Sequence, residues 1–268
     1  HLDIHLFSRH KLAGHCIIML WRAHMLRADE RATNSELTSQ MQDELILRCH
    51  KETFLMIQGM IGYCRSYQED VHVLFDMLSV FMMQSPVDFT FLKDFYREEV
   101  AVIWEPRNKQ KLMLLFLRAL VDYHVAMDLK VVALRLVVTP MLITTFTGAR
   151  KLDTPQTIME AGLESTRVVD SDMLALFMRS ALDTANRQTR HYSEALRVEL
   201  LKLTTVLIEH LGQELVEHRK DLIKFAWNHL KSDDSLSKQW AYVNVCRFVA
   251  TYETPPKIIL QVYPWVSL

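Results

Sequence analysis

Over the stretch 221–263, apolar and polar residues alternate with the period of a helix, and the chain before it repeats the pattern less sharply. Asp221, Lys224, Asn228 and Lys231 fall at steps of three and four and form one polar stripe, while Leu222, Ile223, Phe225, Ala226, Trp227 and Leu230 cover the remaining girth. Further on, Asn244, Arg247 and Thr251 form a second narrow stripe, and Trp240, Val243, Val245, Phe248 and Tyr252 cover the rest. A helix that is apolar around most of its circumference must be packed on several sides. The two segments, joined by a polar turn at 231–235, therefore predict a helical hairpin that needs neighbours to bury its faces. A third helix starts at the prolines after Thr254.

Upstream, the same reading predicts helices over 9–28, 41–67, 69–84, 89–104, 109–127, 129–146, 171–183 and 191–211, with a short one ending near 166. Met41 to Tyr67 reads as one bent helix or two, weakened near its end by Gly59 and Gly62. Ser85–Pro86 stops the third, because a residue before proline avoids helical angles. The stretch 129–146 is rich in β-branched residues that suit a strand, but its length and helical neighbours favour a helix kinked near Pro140. The polar run 147–155 is a loop and a possible sub-boundary, and 184–190 is an exposed link. The clearest stripe is Leu196, Leu200, Leu203, Leu207 and Leu211, with Gly212 as the helix stop. Helix centres recur about every 22 residues, so a pair takes about 44, which falls in the range of HEAT or armadillo units. The expected fold is all-α: a HEAT-like α-solenoid of stacked antiparallel hairpins, with 1–268 as one segment of a larger array.

Composition narrows this further. Six glycines, seven prolines and 50% hydrophobic residues in 268 favour helix over a turn-rich β fold. A formal net charge of -1 gives no global field for nucleic acid, and direct nucleic-acid binding is not expected. Cys16, Cys49, Cys64 and Cys246 form no CxxC pair, so they read as buried free thiols of a reducing compartment. The most apolar stretches, 112–117 and 131–143, are broken by Arg118, Asp122 and Arg135, so no membrane span is expected and the chain reads as soluble. It starts with His1 rather than Met and reads as an excerpt.

Candidate chemistry is thin. His1 and His5 have the spacing at which two imidazoles can share a metal, but no third ligand accompanies them. Asp233–Asp234 has the look of an acidic metal motif, yet it sits in a turn between lysines, where helix capping is the better reading. Trp21, Trp104, Trp227 and Trp240 read as gap-fillers between helices. On that reading Trp240→Ala costs about 3–5 kcal/mol. Arg187, Arg190 and His191 form a small basic cluster on a link. No Gly-rich phosphate loop, kinase or nucleophile-elbow pattern occurs. No catalytic, cofactor-binding or metal residue is assigned, and binding residues stay open.

The segment 248–263, FVATYETPPKIILQVY, preceded by DLIKFAWNHLK, resembles the HEAT-repeat region of the TRRAP/Tra1 proteins, very large pseudokinases related to the phosphatidylinositol-3-kinase-like kinases. The Thr–Pro–Pro start carries the likeness. HLDIHLFSR at the start of the chain and VVTPMLI at 137–143 are similar to the family more loosely. The 264–268 end, PWVSL, departs from it, which leaves the native sequence after Tyr263 open. The resemblance implies a non-enzymatic nuclear scaffold shared by SAGA and NuA4/TIP60-type histone acetyltransferase complexes. It also implies transcription activators and other complex subunits as partners, and no cofactor or small-molecule substrate. The rival readings are a HEAT adaptor outside transcription, such as a transport or phosphatase scaffold, and a compact all-α enzyme.

Overall fold

The computed structural model describes residues 39–68, 70–83, 90–122, 124–151, 169–182, 192–257 and 259–260. Among them every regular element is helical. The chain divides into two compact units, His1–Leu115 and Phe116–Leu268.

In the first unit, α1 runs unbroken over Ser39–Ser66 and continues through Gly59 and Gly62. The short turn after it leads into α2, Val71–Met83. Tyr63 and Tyr67 stack at 4.8 Å on the last turn of α1, and the Tyr63 hydroxyl donates to the buried Asp70 carboxylate, which fixes the turn. Helix α3 covers residues 90–103, with a π segment at Phe95–Val100 in its middle. The π segment sets Phe95 and Tyr96 side by side in the core, where the Tyr96 hydroxyl donates to the Leu74 carbonyl of α2. Arg65 of α1 holds Glu99 of α3 through two hydrogen bonds. The helix expected over 89–104 is thus a helix whose ridge is widened by one residue.

Helix α4, Pro106–Val121, starts on Pro106 itself, at the position where a missing N–H costs nothing. Its fourth residue, Lys109, is buried and donates from Nζ to the Ala101 carbonyl at the end of α3, 3.0 Å away. An ammonium on the last carbonyls of a helix satisfies groups that have no intrahelical partner. The second unit repeats the device. Lys130, the fourth residue of α5, is buried and donates to the Leu120 carbonyl near the end of α4 at 3.0 Å.

Helix α5 covers residues 127–151 as Met127–Ala133, a π turn at Leu134–Val138, and Thr139–Lys151. Pro140 cannot donate, and its ring crowds the carbonyl four residues back. The π turn lengthens the register just ahead of it, with the Thr139 N–H bonded to the Leu134 carbonyl. The β-branched run is therefore helix. It also continues five residues into the stretch expected as a loop, through Lys151. By length and composition, Met127–Thr147 is apolar enough to cross a membrane, yet half of that stretch is buried inside the protein. Its two basic groups are held within the protein: Lys130 is on a carbonyl, and Arg135 pairs with Glu199 at 3.1 Å, while Asp128 is exposed near its start.

Asp170 caps α6, Ser171–Leu182, by accepting the Met173 N–H at 2.8 Å. Ser193 caps α7, Glu194–His210, in the same way from Leu196. Leu196, Leu200, Leu203 and Leu207 are all buried, as the stripe predicts. Val198, Leu201, Thr204, Thr205 and Ile208 are buried too, because α7 packs on α5 along one side and on α9, Ser235–Thr251, along another. Helix α8, Arg219–Leu230, packs on α9 and touches α6. Gly212 does follow α7, but not in a left-handed conformation. Its role is close approach: a Cβ there would lie 2.5 Å from Thr251 Cγ2 and 3.1 Å from the Ile208 carbonyl oxygen.

Candidate functional site

The polar ties between helices concentrate where α7, α8 and α9 meet. The turn between α8 and α9 is built on Asp234. Its carboxylate accepts the Ser237 N–H at 2.6 Å, capping α9, and also takes the Ser232 hydroxyl and Arg197 Nη2 of α7 at 2.7 Å. Burial works against a carboxylate here. The hydrogen bonds from Ser232, the Ser237 backbone and Arg197 outweigh it and hold Asp234 well below the usual carboxylate range. The acidic pair at 233–234 is therefore a cap and an interhelix tie, with Asp233 exposed beside it. Nearby, His229 lies 4.5 Å from the Phe225 ring and places Nδ1 2.8 Å from the Phe225 carbonyl; burial lowers its pKa.

A second tie crosses from α9 to α7 through Asn244. This residue has no exposed surface, contrary to the polar stripe read from the sequence. Its Nδ2 donates to Thr205 Oγ1 at 2.9 Å, and Thr205 donates in turn to the Leu201 carbonyl. Among the described residues, Asn244 Oδ1 has no partner. The steps of three and four were right for a helix face, but the face carrying Asn244 points inward. The outward face of α9 instead carries Leu236, Val243, Cys246, Arg247 and Ala250. Cys246 is exposed accordingly, whereas Cys64 is buried. An orphaned acceptor carries a desolvation cost, so apolar replacement of both partners is expected to be gentler than truncating one. Asn244→Ala should cost about 2 kcal/mol and Asn244→Leu with Thr205→Val less than about 1 kcal/mol, as read by urea unfolding.

Trp240 is half-buried, with Lys202 Nζ 5.1 Å from its ring centroid. Lys202 is itself paired with the buried Glu199 at 3.0 Å. The full-burial expectation for Trp240 therefore falls to a smaller one. Trp240→Ala should cost about 1–2 kcal/mol, part packing and part cation–π contact, measured by thermal melting. Of the other tryptophans, Trp104 is buried as expected and Trp227 is half-buried on α8.

The stripe on α8 stands as read. Asp221, Lys224, Asn228 and Lys231 are all exposed, while Leu222, Phe225, Ala226 and Leu230 are buried. Thr254–Pro255–Pro256 does open a new helical turn, on which Ile259 and Leu260 are 42% and 69% exposed. His1, His5, Trp21, Cys16, the 184–190 link with Arg187 and Arg190, and His191 lie outside the described residues. Among the described residues, no three His, Cys, Asp or Glu side chains cluster as a metal centre would need. The inward turn of Asn244 and the paired Glu199 are the functional-looking polar groups that periodicity missed. Only the partners across the hairpin, far away in sequence, distinguish them from a solvated stripe.

The profile of the family described as the Tra1 HEAT repeat ring region matches residues 5–268. The chain is 35% identical over 213 residues to "Probable transcription-associated protein 1" of Dictyostelium discoideum, a match that covers 80% of this chain and 4% of that protein. It is 22% identical over 271 residues to "Transformation/transcription domain-associated protein" of Mus musculus, across 97% of this chain and 10% of the relative. Over 72 residues, 27% of this chain and 2% of the relative, it is 36% identical to "SAGA complex/NuA4 acetyltransferase complex subunit TRA1" of Saccharomyces cerevisiae. No solved structure matches. The chain thus spans a small fraction of the length of these relatives. The helical architecture of the described residues and the match over nearly every residue lead to one assignment: the chain belongs to the Tra1 HEAT repeat ring family.

Proposed function

We propose that this chain is a non-catalytic scaffold segment of a transcription coactivator subunit, working in the nucleus within SAGA and NuA4/TIP60-type histone acetyltransferase complexes and recruited by transcription activators. The observation that carries the reading is the family match across residues 5–268, joined to a relative whose name places it in both complexes. The physical character of the chain supports it. Its polar clusters are spent on tying helices together: Asp234 on the α8–α9 turn, Asn244 between α7 and α9, and Lys109 and Lys130 on helix ends. A row of helical hairpins offers extended surface for other subunits, and the 268 residues read as one segment of such a row, with a sub-boundary in 147–155.

The test is purification of the tagged full-length protein from nuclear extract, followed by identification of what comes with it. Acetyltransferase subunits recovered in stoichiometric amount support the scaffold. Recovery with transport cargo or a phosphatase instead would replace it with a HEAT adaptor outside transcription. A hydrolytic or phosphotransfer activity abolished by a point substitution in 1–268 would overturn the non-catalytic reading.

A further inference from the structure

Within the second unit the described helices fall into two rows. Helices α5, α7 and α9 share one row, with α7 packing on both of the others, while α6 touches α8 in the second row and the α8–α9 hairpin joins the two. Burial follows the rows. On α7, which has a row neighbour on each side, only Glu194, Ala195 and Glu209 are exposed. On α9, whose described row neighbour is α7 alone, Leu236, Gln239, Val243, Cys246 and Ala250 are all exposed. These recur at steps of three, four, three and four, so they form one seam about 21 Å long, with the spacing of a face that packs against another helix. Leu236 and Val243 are 42% and 47% exposed, and Gln239 is the one polar member. Arg247 borders the seam but pairs with Glu209 of α7 at 3.4 Å. The outer stripe of α8 is polar instead, through Asp221, Lys224, Asn228 and Lys231. The exposed large apolar side chains described on this hairpin therefore both lie on α9.

We propose that the Leu236–Val243–Cys246–Ala250 seam is covered by a helix of the same polypeptide lying beyond residue 268, the second helix after α9, which takes the place beside α9 that α9 takes beside α7. The order of the helices selects this occupant. They alternate between the rows along the chain, so the helical turn opened at Thr254–Pro255–Pro256 belongs beside α8, and the helix after it returns to the row of α9. The described part of that turn leaves the seam open, as the alternation requires. Relatives of which this chain spans 4% and 10% are long enough to carry such a helix. The seam itself contains no charged residue, so it selects neither a nucleic-acid strand nor a charged peptide. One helix seam of this length also falls short of the about 1,200 Å² that a stable association of separate chains buries. A tethered helix escapes that requirement, because a short link holds it at millimolar effective concentration. The small side chains of Cys246 and Ala250 call for bulky apolar residues opposite them. The inference rests on the scaffold reading in taking the chain as one segment of a longer row.

The experiment places a photo-crosslinking residue on the seam of the full-length protein, as Gln239→p-benzoylphenylalanine, a position at which a large group is tolerated at the seam's polar member. The protein is irradiated as purified, mixed with an isotopically heavy copy, and the joined peptides are identified by mass spectrometry. The expected product joins position 239 to a peptide C-terminal to residue 268 of the same copy. A product with another subunit, with the heavy copy, or with residues 255–260 would overturn the proposal, and so would the absence of any product. Cys246 gives a second measurement that needs no change on the seam. Its maleimide labelling in the full-length protein should be about tenfold or more slower than that of the thiol introduced by Asn228→Cys on the polar stripe of α8, because a covered thiol reacts only when the cover opens. Equal rates would mean an open seam and overturn the proposal. Val243→Asp should then restore fast labelling at Cys246, since a carboxylate has no place under an apolar lid. Neither readout depends on which subunits co-purify. Absence of acetyltransferase subunits therefore removes the scaffold reading and leaves the crosslink standing, whereas an open seam leaves the co-purification result untouched.

Discussion

Phe225→Ala is expected to destabilise the second unit by about 3–5 kcal/mol, the largest effect of any single substitution in the hairpin. The ring is 2% exposed on α8, a helix that packs on α9. It lies tilted at 56° against the His229 imidazole, ring centroids 4.5 Å apart, and the His229 Nδ1 is 2.8 Å from the Phe225 carbonyl. Removing the ring takes apolar surface out of the core and leaves a cavity that two helices would have to close. They cannot approach freely, because Asp234 already fixes the turn between them and Arg197 anchors that turn to α7. The cost should therefore lie toward the upper end for a phenylalanine. Phe225→Leu keeps most of the volume and should cost about 1–1.5 kcal/mol. Urea unfolding followed by circular dichroism checks both values. A cost below about 1 kcal/mol for the alanine variant would mean that α8 does not share its core with α9.

How much of this was legible in the sequence follows from how local each feature is. Helix existence was readable from the spacing of apolar residues, and α7 is the clearest case: four leucines at steps of three and four are all buried. The Asp234 cap was readable too, since it acts through a residue within one turn of itself, whereas the helix expected from 109 in fact starts on Pro106. Helix faces were harder. Asn244 reads as solvated by its type, and only Thr205, 39 residues earlier, turns that face inward. Val243 and Cys246 then point outward for the same reason. Gly212 looked like a left-handed stop, but the constraint comes from Thr251, again distant in sequence. The π segments at Phe95–Val100 and Leu134–Val138 were not predicted. The second had a local signal in Pro140, which the kink expectation used without saying how the backbone would accommodate it.

Asp234→Ala is expected to cost about 2–4 kcal/mol, because one residue performs two jobs that are separable by substitution. As a cap it accepts the Ser237 N–H, and as an ion it holds Arg197, with side chains 16% and 24% exposed respectively. Alanine removes both and leaves a mostly buried guanidinium whose Nε lacks a partner among the described residues. Asp234→Asn keeps an acceptor for the Ser237 N–H but gives up the charge, so it should cost about half as much. The difference between the two variants, and its disappearance when Arg197 is replaced by methionine, measures the ionic share in a double-mutant cycle. Acid gives an independent reading of the same group. Its pKa is lowered on folding, so the unfolded chain binds the proton more readily, and stability must fall as pH falls. The contribution is complete above about pH 5, where the carboxylate is ionised in both states, and is withdrawn progressively below about pH 4. The Asn variant should lose this part of the acid dependence. If its stability declined between pH 5 and pH 2 as steeply as that of the parent chain, the carboxylate would not be the tie that joins α7 to the α8–α9 turn.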